Sequence, residues 1–381
     1  MDPIIVIGTG LAGFNLVKEL RKLDKTTPVV MLTSDDGRNY SKPMLSNGFA
    51  KQKDADALAM ASAEQTAAQL SAEIRIAVTV SAIDTASKQV IVNGDSLRYS
   101  KLVLALGADV FRPPMTGDAL DLVYTVNDLM DYARFGKAAA GKRSVLIIGG
   151  GLIGCEFAND LLAGGFTVEL VEPMGRCLPT LLPEPASRAV QQGLEAAGVR
   201  FHFGPFATTC NRRGDVVVVG LSDGTEVEAD IVLQAVGLRP RIALASAAGI
   251  TVNRGIVADR LLQTSAADVY ALGDCAEVEG LVLPYILPLM SASRALAKTL
   301  AGEPTPVSYG VMPVTIKIPA CPTVVCPPAP GAEGAWHCEG DGLNIKALFR
   351  STDGALLGYA LTGDACAEKQ ALNKELPPLL A

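Results

Sequence analysis

The chain is expected to be an α/β protein with two parallel-sheet units and a small α+β domain at its C-terminal end. Three observations carry this expectation. The stretch Gly8-Thr9-Gly10-Leu11-Ala12-Gly13 follows the apolar run 4–7, and Gly149-Gly150-Gly151-Leu152-Ile153-Gly154 follows the apolar run 145–148. The spacing G-x-G-x-x-G therefore occurs twice, each time at a strand-to-helix junction, which points to two Rossmann-like dinucleotide-binding domains. Further along from each loop comes an apolar strand closed by glycine, 102–107 and 231–237, so the chain is internally duplicated. Beyond residue 306 the pattern changes to a proline cluster (Pro319, Pro322, Pro327, Pro328, Pro330), the single Trp336 and short strand-like runs.

Residues 4–7 read as a buried strand, 11–23 as the following helix and 29–32 as the second strand of a βαβ unit. The three glycines have separate tasks. Gly8 makes the tight turn, Gly10 lets the backbone approach a pyrophosphate, and Gly13 lets helix and sheet pack closely. The helix N-terminus attracts the phosphates. Residues 54–70 are Ala-rich and read as helical, 74–80 as a strand, 89–95 as half a hairpin, and 102–108 as a buried strand ending in a glycine turn. Pro113-Pro114 punctuates the chain as a domain boundary.

Residues 145–172 repeat the opening plan: strand, glycine turn (Gly149, Gly151, Gly154), helix over 155–162, strand over 167–171. Helix 186–197 and strands 201–203, 216–219 and 231–237 follow, and a helix is expected from about Leu289, just past Pro288, to Leu300. The resulting division is a discontinuous first unit, 1–114 with 237–306, a second unit, 115–236, and a C-terminal domain, 307–381.

Net charge is −7 with no basic run, which disfavours nucleic acid as a partner. No apolar run reaches the length of a membrane span, and the most apolar region, 281–290, is broken by Pro284 and Pro288. Met1-Asp2-Pro3 leads straight into a strand without a secretory pattern, so a cytoplasmic location is expected. The eight cysteines form no C-x-x-C pair, and no metal site is expected.

The second strand of each unit should end in an acid that grips an adenosine ribose. In the second unit this is Glu172, whose carboxylate would repel a 2′-phosphate, so NADH is expected there rather than NADPH; Arg176 is nearby in sequence. In the first unit the position is Thr33, a departure, with Ser34, Asp35 and Asp36 available behind it.

The motifs together resemble the two-dinucleotide-binding pyridine nucleotide–disulfide oxidoreductase superfamily, of glutathione-reductase-like fold, in its branch that reduces small iron proteins. Within that branch the likeness is to the bacterial NADH-dependent rubredoxin reductases associated with alkane oxidation. It rests on residues 7–13, 40–46, 154–161, 235–240, 271–276 and 313–317. The resemblance implies tightly bound, non-covalent FAD at the first loop and NADH as substrate at the second. It implies Thr9, Leu11, Ala12, Thr33 and Ser34 as flavin neighbours, Asp274 on a ribityl hydroxyl, Val80 at the adenine, Ile286 at the pyrimidine side and Lys317 as a further flavin contact. Lys42 matches a lysine beside flavin N5, and Glu156 the acid that pairs with that lysine and meets the nicotinamide; these two are the catalytic candidates. A cation near N5 favours reduced, anionic flavin.

The redox-active cysteine pair of the disulfide reductases is absent from its place, Cys155 reads as a core residue, and Cys321 and Cys326 lie far along the chain from the flavin motif. Electrons are therefore expected to pass from NADH through FAD directly to two rubredoxins, one at a time. Rubredoxins are typically acidic, and residues 37–53 hold Arg38, Lys42, Lys51 and Lys53 and no acid, a candidate steering patch. Alternatives are a ferredoxin reductase of the same branch, a membrane quinone reductase, for which the segment 368–381 is a poor anchor, and a non-catalytic flavoprotein responsive to NADH.

Overall fold

The computed structural model describes all 381 residues. The run Ile4–Ile7 is buried along its whole length, as a strand covered on both faces must be. It lies in the middle of a parallel sheet ordered Val269–Ala271, Lys101–Leu104, Ile4–Ile7, Val29–Leu32, Glu73–Arg75. The second glycine loop leaves the middle of a matching parallel sheet, ordered Val123–Tyr124, Ile231–Gln234, Ser144–Ile148, Thr167–Glu172, Arg200–Phe203. In both, the glycine-loop strand sits between its βαβ partner and the later apolar strand, so the sequence duplication is a duplication of sheet order. Each unit also carries a three-stranded antiparallel sheet, Val80–Asp84 with Gln89–Val92 and Asp95–Arg98 in the first, Ala207–Arg213 with Val216–Leu221 and Glu226–Ala229 in the second.

A two-stranded ribbon, Ala108–Val110 against Leu238–Pro240, spans the two crossings between the units. The last domain is a five-stranded antiparallel sheet ordered Val314–Ile316, Thr323–Cys326, Leu356–Thr362, Asn344–Arg350, Ala335–Asp341. It packs on the helix Glu184–Ala197, where a Cβ on Gly193 would stand 2.6 Å from the Ala320 carbonyl oxygen. No helix is long and apolar enough to cross a membrane.

The helix expected over 155–162 runs from Leu152 to Ala163, and three further stretches differ from expectation. The Ala-rich run 54–70 is broken by a short strand, Ala59–Ala61, because Ser62 starts a new helix, Ala63–Leu70, through a capping box with Gln65. The strand expected over 74–80 divides at Ala77, whose φ is +53°, into Glu73–Arg75 and the start of Val80–Asp84. The helix expected from Leu289 begins at Ile286 and runs to Leu300. Pro288 thus lies in the first turn, where a missing N–H costs no intrahelical bond.

Candidate active site

The two glycine loops are built alike. Gly8 and Gly149 have φ of +118° and +108°, and a Cβ on them would stand 2.2 and 2.6 Å from the carbonyl oxygens of Ala105 and Ala235. A Cβ on Gly13 or Gly154 would stand 2.1 or 1.9 Å from the oxygen of Gly8 or Gly149. These four positions require glycine for the chain to fold back on itself. Gly10 and Gly151 have ordinary φ (−71° and −74°), and a Cβ on either meets nothing within 4 Å. Glycine there leaves an open cradle over the N-termini of the helices Leu11–Leu23 and Leu152–Ala163. Neither helix has a side-chain cap or an acid in its first turn. Each offers free N–H groups and a positive dipole end to a phosphate, so the residues present fit a dinucleotide at both loops.

Around the first loop, Thr33 and Thr9 are buried and both donate to Asp35 Oδ1, at 2.6 and 3.4 Å, as does the Gly37 N–H at 2.9 Å. Asp35 thereby brings a carboxylate beside the first loop, two residues past Thr33, and Ser34 is exposed next to it. The next turn of chain lies alongside: Ala77 N–H donates to Asp35 O and Val78 N–H to Thr33 O, which leads Val80 to the same edge. Asp274 sits in the turn Gly273–Cys275, which packs on the first-loop helix closely enough that a Cβ on Gly273 would stand 2.8 Å from Ala12 Cβ. It caps no following helix, since the next begins at Ile286 with Tyr285 as cap. Ile286, 39 % exposed, opens that helix, where backbone N–H groups lack intrahelical partners.

At the second loop Glu172 is buried, with Oε2 accepting from Gly150 N–H at 2.7 Å and Oε1 from Met174 N–H at 2.8 Å. The carboxylate is therefore held in place at the strand end. Arg176 turns to the Pro179 carbonyl instead.

The expected pairing of Lys42 with Glu156 is not formed. Lys42 lies at the start of the 3-10 segment Lys42–Asn47, where its Nζ donates to Asn127 Oδ1 at 2.9 Å and stands 3.6 Å from Asp274 Oδ2. Glu156, 2 % exposed, is paired with Lys317 Nζ and accepts from Ser46 Oγ at 2.7 Å and from Lys317 N–H at 3.0 Å. Lys317 Nζ also donates to Ser46 Oγ at 2.5 Å. The physical reason is the packing of the 3-10 segment on the second-loop helix: the residue it presents to Glu156 is Ser46, a turn beyond Lys42. The same helix fixes its neighbours through Asp160, which accepts from the N–H groups of Phe49 and Ala50, and Asn159, which accepts from Ala320 N–H. Burial raises the Asp160 carboxyl above its ordinary range. All three parts of the chain thus meet at one point, Ser46 from the first unit, Glu156 from the second and Lys317 from the C-terminal domain. Ser46 and Asn127 escaped sequence reasoning; Ser46 lies inside a quoted motif, whereas Asn127 has no sequence signal of its own.

The steering patch is smaller than its four cations suggested. Arg38 pairs with Asp36 and Asp56, each at 2.7 Å, and Lys42 is engaged as described, which leaves Lys51 and Lys53 without a carboxylate partner. All eight cysteines are free. Cys321 and Cys326 face different cores across their sheet and form no pair, and Cys155 is fully buried, its thiol donating to Gly150 O. Burial pushes the Cys210 and Cys275 thiols up to about 11. At pH 8 roughly one in a thousand such thiols is ionised, so the native holoprotein should yield only Cys338, and more slowly Cys366, to a thiol reagent. NADH–ferricyanide turnover should survive that modification; loss of turnover in step with a buried thiol would place a cysteine in the electron path.

Residues 2–298 match the family described as pyridine nucleotide-disulphide oxidoreductase, and residues 306–376 match the rubredoxin binding C-terminal domain. The chain is 64 % identical to the rubredoxin-NAD(+) reductase of Alcanivorax borkumensis over 100 % of both chains. It is 41 % identical to that of Acinetobacter baylyi, covering 100 % of this chain and 99 % of the other. A ferredoxin reductase from Rhodopseudomonas palustris superposes with a TM-score of 0.89 at 25 % identity, over 99 % of this chain and 96 % of the other.

Proposed function

Since the chain belongs to the pyridine nucleotide-disulphide oxidoreductase family, we propose that it is an NADH:rubredoxin oxidoreductase using FAD. FAD would be held non-covalently at Gly8, Thr9, Gly10, Leu11, Ala12 and Gly13, with Thr33, Ser34, Val80, Lys42, Glu156, Asp274, Ile286 and Lys317 about it. NADH would be held at Gly149, Gly151, Gly154 and Glu172. In this reading 1–114 with 237–306 form the flavin unit, 115–236 the NADH unit and 307–381 the acceptor-binding domain, in a cytoplasmic enzyme feeding alkane hydroxylation.

The observation that carries the proposal is the meeting of Ser46, Glu156 and Lys317, because it joins the first unit and the second-loop helix to the domain matched as rubredoxin-binding. The chemistry supplied by the bound flavin is acceptance of a hydride and release of its two electrons singly, as one-electron iron proteins require. The chain's part is alignment. Glu172 fixes the NADH ribose, the cradles fix both pyrophosphates, and Lys317 with Ser46 fixes the Glu156 carboxylate at the junction. Lys42 places a positive charge at the flavin edge that favours the reduced anion. The match over 306–376 favours rubredoxin over a [2Fe–2S] acceptor.

NADH should reduce cytochrome c only when rubredoxin is added. Lys51→Glu with Lys53→Glu should raise the rubredoxin KM and flatten its salt dependence, because long-range attraction is what salt screens. An unchanged salt dependence would remove the steering role. A rate indifferent to rubredoxin but restored by a [2Fe–2S] protein would replace the acceptor.

A further inference from the structure

Asn127 lies between the two units, immediately before Asp128, the cap of the helix Leu129–Ala139. It is buried at 9 % exposure, and both ends of its side-chain amide and its backbone N–H have defined partners. Its Oδ1 accepts from Lys42 Nζ at 2.9 Å, its Nδ2 donates to Ala108 O at 2.8 Å, and its N–H donates to Asp131 Oδ2 at 3.0 Å. The orientation of the amide is forced, since an ammonium only donates and a carbonyl only accepts. Ala108 opens the ribbon that joins the units, so Lys42 is tied through Asn127 to the paired backbone at the crossing.

The chemistry of the partner matters as much as its place. A carboxylate here would hold the lysine equally well and cancel its charge, whereas an amide holds it and leaves the charge intact. The one carboxylate near Lys42 Nζ is Asp274, at 3.6 Å, beyond a direct hydrogen bond. We infer that Asn127 is a positioning residue for Lys42, holding its positive charge at the flavin edge without adding a second carboxylate to Asp274, and thereby setting how readily the flavin is reduced. The inference rests on the proposed placement of Lys42 beside the flavin. A neighbouring charge shifts the balance between oxidised and reduced cofactor without touching substrate.

The test is the two-electron midpoint potential of the purified holoprotein, measured by dye equilibration, in Asn127→Asp, Asn127→Ala and Lys42→Met. Asn127→Asp keeps the shape, adds a negative charge beside Lys42 and gives up the bond to Ala108 O, and should disfavour the reduced flavin by about tenfold, which is about 30 mV more negative for a two-electron couple. Asn127→Ala should shift the potential in the same direction by less, and it takes the place of the Asp variant if that one sheds flavin. Lys42→Met separates the two claims. If it lowers the potential while both Asn127 variants match wild type, Asn127 does not position the charge and the inference is overturned. If Lys42→Met itself matches wild type, Lys42 does not sit at the flavin, and the placement on which the inference rests fails first.

Discussion

Replacing Lys317 with Met is expected to cost the folded protein about 3 kcal/mol and to slow NADH-dependent bleaching of the flavin by about a hundredfold. The Glu156 side chain is 3 % exposed, so without its cation it is a charge held out of water by one hydroxyl and one backbone N–H. Removing one member of a buried pair costs roughly 3–5 kcal/mol. The lower end applies because Lys317 is 25 % exposed and water already screens part of the attraction. The rate effect follows from alignment, since a freed carboxylate at the junction lets the reacting groups drift, and about 1 Å of displacement is worth on the order of a hundredfold.

Glu156→Gln should be gentler on stability, because the lysine it orphans can reach solvent. The double variant Glu156→Gln with Lys317→Met should lose less than the sum of the single losses, as groups in direct contact do not behave additively. Urea midpoints and stopped-flow bleaching measure both effects. Strict additivity in stability, with a bleaching rate within twofold of wild type, would show that the pair has no part in arranging the junction.

The parts of this molecule that were legible in the sequence are the ones decided locally. A strand, a turn forced by Gly8 or Gly149, and a helix start are set within a dozen residues, and their repetition exposed the duplicated sheet order. The position of Glu172 at the end of its strand was readable because it is fixed by the length of one βαβ unit. The break at Ala59–Ala61 was missed because an Ala-rich run resembles a helix until a capping box interrupts it, and the break at Ala77 because nothing in the run 74–80 marks a residue that takes a positive φ. The misassigned ion pair has a different cause. Lys42 meets Asn127 across 85 residues, and Glu156 meets Lys317 across 161. Such partnerships depend on how three domains pack, and no local pattern carries that information. Similarly, Arg38 counted as a free cation until the fold brought Asp56 to it.

The second large effect concerns the glycines, whose two kinds of constraint give separable outcomes. Gly8→Ala and Gly13→Ala drive a methyl group into a backbone carbonyl, with contacts of 2.2 and 2.1 Å, and should destabilise the flavin-free chain by on the order of 4 kcal/mol. Gly10→Ala and Gly151→Ala meet nothing in the protein and keep a φ that alanine adopts freely, so each should cost about 1 kcal/mol or less. In the proposed placement the same methyl groups stand in the path of the pyrophosphates, and should weaken the respective nucleotide by at least about tenfold. Stabilities must be compared without flavin, because a bound ligand adds its own stabilisation.

Flavin per chain and NADH affinity, measured side by side on Gly10→Ala and Gly151→Ala, therefore test most directly the claim that FAD occupies the first cradle and NADH the second. The expected result is loss of flavin from Gly10→Ala alone, and retained flavin with weakened NADH binding in Gly151→Ala. Loss of flavin from Gly151→Ala, with Gly10→Ala fully loaded, would reverse the assignment of the two sites and contradict the account.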